Sequence, residues 1–250
     1  MNFIDRNLYL KSMTELIKII ELNTLRKIKK NYFAINSDCM LTYWSNQEYK
    51  QIVNDKNAVV YVDGMGVIYA QKILGLERAS ERIATTDLFP KLLNYLNSKD
   101  SNIKIYLLGG KCGTAEKVKE KFTKKYPNIN IVGTHHGYFD DSEKVIKQIN
   151  DLNTDILFVG FGTPIQEQWV NKYYDKLQVS TIITCGGLFD YYADNVKRAP
   201  LFMQKSGLEW LFRLIQEPKR LWKRYIIGNF IYITKVFFLM LLNKSTGRNK

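Results

Sequence analysis

Residues 103–132 read IKIYLLGGKCGTAEKVKEKFTKKYPNINIV. A β-branched and aromatic run (Ile103–Leu108), a glycine pair, a helix-like stretch (Ala115–Lys125) and a second β-branched run (Ile129–Val132) follow one another. A helix between two strands is long enough to carry the chain back across a sheet, so the strands lie parallel. The alternation extends both ways from this unit. Strand-like runs recur at Tyr32–Ile35, Val59–Val62, Ile156–Gly160 and Thr181–Thr184, with helix-like stretches at Gln47–Asn54, Leu88–Asn97, Glu143–Leu152 and Gln166–Leu177. The pattern predicts an α/β protein with a mostly parallel six-stranded sheet flanked by helices on both faces. The first thirty residues read as helical, with Leu8, Met13, Leu16, Ile17, Ile20 and Leu25 at roughly helical spacing.

With 250 residues, 46% hydrophobic and 24% charged, the chain can bury a sizeable core, which excludes a disordered chain and a small disulfide scaffold. Cys39, Cys112 and Cys185 are odd in number, widely spaced and without a CxxC pair, so they read as buried thiols of a reducing compartment. The opening MNFIDRNLYLKSM has charges where a signal peptide would have an apolar run, so the expected location is the cytosol. The net charge of +13 is unevenly placed: residues 197–250 hold twelve Lys or Arg against Glu209 and Glu217, and so carry ten of the thirteen charges. A basic tail faces something anionic, a membrane surface or nucleic acid, unless it is simply a solvated face.

In open parallel sheets ligands bind beyond the carboxyl ends of the strands. The residues there are Asn36, then Asp63-Gly64-Met65-Gly66, Gly109-Gly110, Gly133 with Gly137-Tyr138-Phe139, Gly162-Thr163-Pro164-Ile165-Gln166-Glu167, and Gly186-Gly187-Leu188-Phe189-Asp190. Glycines there let backbone N–H groups approach a ligand, although any one of them also serves simply to turn the chain. No GxxxxGK[ST] is present, and GGKCG stands where a dinucleotide fold has GxGxxG, which disfavours a common nucleotide hydrolase or dehydrogenase. Asp63 is a candidate general base, or alternatively the N-cap of the helix that follows it. His135 and His136 should point to opposite faces of an extended chain, and no DxD pair ends a strand, so the site reads as metal-free and without a cofactor.

These motifs in this order resemble the WecG/TagA/CpsF family of inverting bacterial glycosyltransferases. The resemblance rests on Asp63-Gly64 with Gly66, Arg82 with Thr86-Asp87-Leu88, Leu107-Leu108-Gly109-Gly110, Gly137-Tyr138-Phe139, and Pro164 with Gln166-Glu167. It continues through Gly187–Asp190, Arg198-Ala199-Pro200, Gly207–Leu214, Glu217-Pro218, Arg220 and Arg224-Tyr225. It implies a Rossmann-like fold and metal-independent transfer of a sugar from a UDP-sugar donor to GlcNAc on undecaprenyl diphosphate. The sugar is commonly N-acetylmannosamine or its uronic acid. Carried over, Asp63 is the general base, and Asn36, Arg82, Asp87, Gly109, Gly110, Gln166 and Glu167 help bind substrate. Tyr138 and Asp190 hold the uracil, while Arg213, Arg220 and Arg224 come from a C-terminal appendage and stabilise the departing diphosphate. The sequence departs from the family pattern at Ala34, Thr85, Ile165 and Asp194, which puts the exact sugar in question; a different UDP-hexose in capsule or exopolysaccharide assembly is the second reading.

The chain then divides into a catalytic core, 1–196, and a basic helical appendage, 197–250. Within the appendage YIIGNFIYITKVFFLMLL (225–242) is apolar but interrupted by Lys235. Its basic stripe beside bulky apolar residues fits a peripheral helix in the headgroup region of the inner membrane face, with burial in a homo-oligomer interface or a strained span as alternatives. The many basic residues and tyrosines would also suit RNA binding, but the aromatics sit inside apolar helical runs, so nucleic acid is not an expected partner.

Overall fold

The computed structural model describes residues 3–6 and 8–245. Its sheet has six parallel strands, β1 (Lys30–Ile35), β2 (Ala58–Val62), β3 (Lys104–Gly109), β4 (Asn130–His135), β5 (Ile156–Gly160) and β6 (Thr181–Thr184), in the order β2-β1-β6-β5-β3-β4. Through the core run the helices α1 (Met13–Leu25), α2 (Ser37–Ser45), α3 (Gln47–Val53), α4 (Met65–Ile73), α5 (Thr85–Ser98), α6 (Thr114–Lys125), α7 (Ser142–Asp151), α8 (Ile165–Lys172) and α9 (Leu188–Tyr192). The C-terminal part adds α10 (Leu201–Lys205), α11 (Glu209–Gln216) and α12 (Pro218–Trp222), then a π turn (Lys223–Ile227) that runs into α13 (Gly228–Ser245).

The expected parallel α/β architecture is therefore present, and alternation along each strand explains its two covered faces. Tyr32, Tyr61, Ile105, Leu107, Phe158 and Ile183 pack under α1, α5, α6 and α9. Their neighbours Phe33, Val60, Tyr106, Leu108, Leu157 and Ile182 point the other way, under α2, α3, α4 and α13 or under α7 and α8. On α6, Ala115, Val118 and Phe122 are buried at helical spacing while its lysines face out.

Three sequence expectations need correction. The N-terminal helix begins only at Met13, where Ser12 caps it and Glu15 completes a capping box; Leu8 precedes it, and Tyr9 makes a parallel bridge to Tyr61. His135 and His136 do not diverge: β4 ends at His135, so strand alternation stops there, the chain turns, and the rings lie 4.5 Å apart. Cys39 and Cys185 are buried, but Cys112 is exposed, because it occupies the turn before α6 rather than a strand end.

The strand order sets where a ligand can enter. From β3 the chain moves outward to β4 at the sheet edge, whereas from its neighbour β5 it moves inward to β6, so the helices diverge and a crevice opens between these strand ends. Gly109 and Gly160 face each other at that seam. A Cβ on Gly109 would lie 2.5 Å from the Gly160 carbonyl oxygen, and its φ of +148° is one that L side chains rarely adopt. Gly109→Ala should therefore lower unfolding free energy by about 3 kcal/mol. Gly113→Ala, at φ +79° but with open space around it, should cost only about 1 kcal/mol. Urea titrations of both variants check the difference; equal losses would mean that the seam is not tightly packed.

Candidate active site

The strand ends and the appendage enclose one cleft of about 1410 Å³. Asn36, Asp63, Arg82, Gly110, Tyr138, Gln166, Asp190, Arg213, Arg220 and Arg224 all line it. Residues drawn from every strand end but that of β4 itself, and from the loop just after β4, are thus brought together with three appendage arginines. Asp87, Gly109 and Glu167 are not on its wall. Asp87 pairs with Arg198 at 2.7 Å, Gly109 forms the seam, and Glu167 is fully buried behind Gln166, whose amide donates to its Oε1 at 2.8 Å.

Asp63 follows β2, and its backbone N–H donates to the Ile35 carbonyl at 2.9 Å, which carries the sheet one residue beyond the strand. The close approach of Gly64, where a Cβ would lie 2.8 Å from that of Asn36, keeps the ends of β1 and β2 together. Asp63 does not cap α4; Gly64 is the N-cap and no side chain bonds there. Instead its Oδ2 accepts from the Thr85 hydroxyl at 3.3 Å and the Thr85 N–H at 3.5 Å, at the start of α5. Its side chain retains 26% of its surface, facing the cleft. Burial pushes its pKa up to about 6; nearby Arg82 pulls against this and Glu209 adds to it.

Arg82 begins a chain of alternating charge. Its Nε lies 3.9 Å from Asp63 Oδ1 and its NH2 2.6 Å from Glu209 Oε2. Glu209 Oε1 then meets Arg198 Nε at 3.4 Å, and Arg198 reaches Asp87. Arg82 also donates to the Gln204 carbonyl at 3.2 Å. Residues 198–209 are thereby fastened to the core beside the acid. Sequence reading gave Arg198 and Glu209 no site role; their position in a long shared motif was the only signal for them.

The remaining groups sort by what their polar atoms already do. Gln166 Oε1 accepts from the backbone N–H groups of Gly162 and Gly186, at 3.2 and 2.9 Å, so it ties two glycine loops together at the cleft floor. Asn36 caps α2 by accepting from Asp38 and Cys39 N–H. Tyr138 is 74% exposed at the rim, and Asp190 accepts from Asn195 Nδ2 at 3.2 Å. Arg213 lies over the Tyr191 ring at 5.0 Å, and its Nε is buried without a partner. Arg220 is held by Glu217, and Arg224 by Asp38 at 2.8 Å. Among the described residues no three His, Cys, Asp or Glu side chains gather in a metal-binding group.

This geometry pairs an acid with a raised pKa and a set of cations in one cleft, a combination suited to taking a proton from a hydroxyl while stabilising an anionic leaving group. Because the folded pKa of Asp63 lies above its unfolded value, ionising it costs stability, and that cost appears as pH rises through about 6. Asp63→Asn should consequently raise the melting temperature at pH 8, with the gain shrinking as pH falls from 6 towards 4. A gain independent of pH, or a loss at pH 8, would contradict the assigned burial.

The chain also matches known proteins over most of its length. A family model described as "Glycosyl transferase WecG/TagA/CpsF family" matches residues 1–246. A protein of Bacillus subtilis (strain 168) is 34% identical over 216 residues, covering 86% of this chain and 82% of its own. One from Bacillus spizizenii is 30% identical over 90% of this chain and 84% of its own, and one from Staphylococcus aureus (strain MW2) 27% over 88% and 86%. All three are named N-acetylglucosaminyldiphosphoundecaprenol N-acetyl-beta-D-mannosaminyltransferase. With the family model matched over nearly the whole chain, this protein belongs to the WecG/TagA/CpsF family of glycosyl transferases.

Proposed function

We propose that the protein transfers N-acetylmannosamine from its UDP conjugate to the GlcNAc of undecaprenyl-diphosphate-GlcNAc, with inversion and without a metal. The observation that carries the reading is Asp63, a mostly hidden acid open to the cleft, with its pKa raised to about 6. The names of the relatives supply the donor and acceptor classes. Above that pH the carboxylate accepts the proton of the acceptor hydroxyl as its oxygen attacks the anomeric carbon. The bond from that carbon to the UDP oxygen breaks on the opposite face, and the negative charge passes to the diphosphate. Arg213 and Arg220 face this end of the cleft, Arg213 with an unpartnered Nε, and stabilise that charge. Tyr138 is exposed enough to stack on uracil, and Asp190 accepts its N–H. Ala34 and Ile165 both line the cleft, so a different UDP-hexose is the second reading for the donor.

In this reading residues 1–196 supply the base and the loops, while residues 197–250 close the cleft and dock on the inner membrane face. Arg248 and Lys250 of the basic tail lie outside the described residues. The helix from Pro218 to Asn243 is long and apolar enough to span a bilayer. A span would, however, strip Tyr232, Val236 and Leu239 from the core they share with Met40 and Val67. A surface position keeps that packing and leaves Ile231, Phe238 and Leu241 exposed to enter the headgroup region. Phe230 and Phe237 are not part of this outer stripe, because they line the cleft.

Two outcomes test the proposal. Asp63→Asn should keep the fold but lower turnover with UDP-N-acetylmannosamine by roughly 10²–10⁴, since an amide cannot take the proton; near wild-type turnover would remove Asp63 from catalysis. Ile231→Glu with Phe238→Glu should abolish co-sedimentation with anionic vesicles that wild type binds. Unchanged binding by that variant would exclude this face as the docking surface.

A further inference from the structure

The cleft does not end at the acid and the arginines. Beyond them it continues between α4 and α13, where its walls turn apolar. On α4, Tyr69 and Ile73 stand one helical turn apart, each about half exposed, while the opposite flank of the same helix, Val67 and Ala70, is buried in the core. On α13, Ile233 and Phe237 repeat the spacing, 66% and 55% exposed, and face the same cavity. The Tyr232 hydroxyl donates to the Gly66 carbonyl at 3.1 Å and pins the two helices together at the inner end. Exposed i,i+4 apolar pairs on two facing helices make a greasy trough that water alone would disfavour.

The order of groups along this trough identifies its occupant. α4 starts just after Asp63 and leads outward from Met65 to Ile73, about 12 Å at the helical rise. Past the two arginines given to the donor, the C-terminal rod presents Arg224 first, then Phe230, Ile233 and Phe237. Acid, cation and apolar walls follow one another, as do hydroxyl, diphosphate and hydrocarbon in a prenyl-diphosphate-linked sugar. We infer that the groove between Tyr69/Ile73 and Ile233/Phe237 is a binding subsite for the first isoprene units of the acceptor, an inference that rests on the transferase reading above. The enzyme then grips the lipid end itself, separately from the outer stripe of Ile231 and Phe238. Burying hydrocarbon in the groove makes acceptor recognition grow with chain length.

The test uses GlcNAc-diphosphate acceptors esterified with a methyl, geranyl or farnesyl group, with saturating UDP-N-acetylmannosamine, in buffer free of detergent and vesicles. In wild type, kcat/KM should rise about tenfold or more per added isoprene unit. In Ile73→Asn with Ile233→Asn, and separately in Tyr69→Asn, the farnesyl-to-methyl ratio should fall at least tenfold; these positions are already solvent-exposed, and thermal melts check that the variants fold. A wild-type series that is flat, with transfer to the methyl ester intact, overturns the groove and leaves the transferase reading standing. A series that climbs equally in wild type and variants overturns this location. Transfer to none of the three acceptors overturns the transferase reading, and the groove with it.

Discussion

The contact between Arg82 and Glu209, 2.6 Å long and largely hidden from solvent, joins the two parts of this molecule at the place where chemistry is assigned to occur. Arg82 belongs to the core loop after α4 and Glu209 to the first turn of α11, yet both bear on Asp63. Without Glu209, Arg82 would be left to Asp63 alone and would pull its carboxyl further down. With Glu209 taking most of the guanidinium, the acid keeps the higher pKa that burial gives it. Removing one member of a buried charge pair costs about 3–5 kcal/mol, so the Arg82–Glu209 contact, with both side chains largely hidden, holds the two parts together. The C-terminal part seated by that contact thus completes the cleft wall and shifts the Asp63 carboxyl with the same contact.

The long C-terminal helix serves three surfaces at once. Tyr232, Val236 and Leu239 anchor it in the core, Phe230, Ile233 and Phe237 face the cleft, and Ile231 and Phe238 face away. In a regular helix these stripes are fixed relative to each other by the 3.6-residue repeat, so the anchoring stripe decides the other two.

Much of this was legible in the sequence because it is local. The six strand runs match the six strands to within a few residues, since buried parallel strands are continuous apolar stretches. Asp63 and Gly110 stand out because they follow those runs directly, and Gln166 and Asp190 because they lie in the short glycine-containing turns after them. What stayed hidden depends on distant contacts. Arg82 and Glu209 are 127 residues apart, and nothing at either position signals the other. The facing of Phe230 and Phe237 towards the cleft is set by packing on α2 and α4, and an all-round apolar run carries no phase from which to read it. The closeness of His135 and His136 likewise depends on where β4 stops.

Asp63, held as a reluctant acid, is the group on which the cleft's chemistry turns. Its carboxyl carbon can be followed by 13C NMR in aspartate-labelled protein, with Asp63→Asn assigning the resonance, while pH is raised from 3 to 9. The account predicts a midpoint at about 6. A midpoint near 4, the ordinary value for an aspartate, would mean that neither burial nor Glu209 governs this group, and would contradict the account.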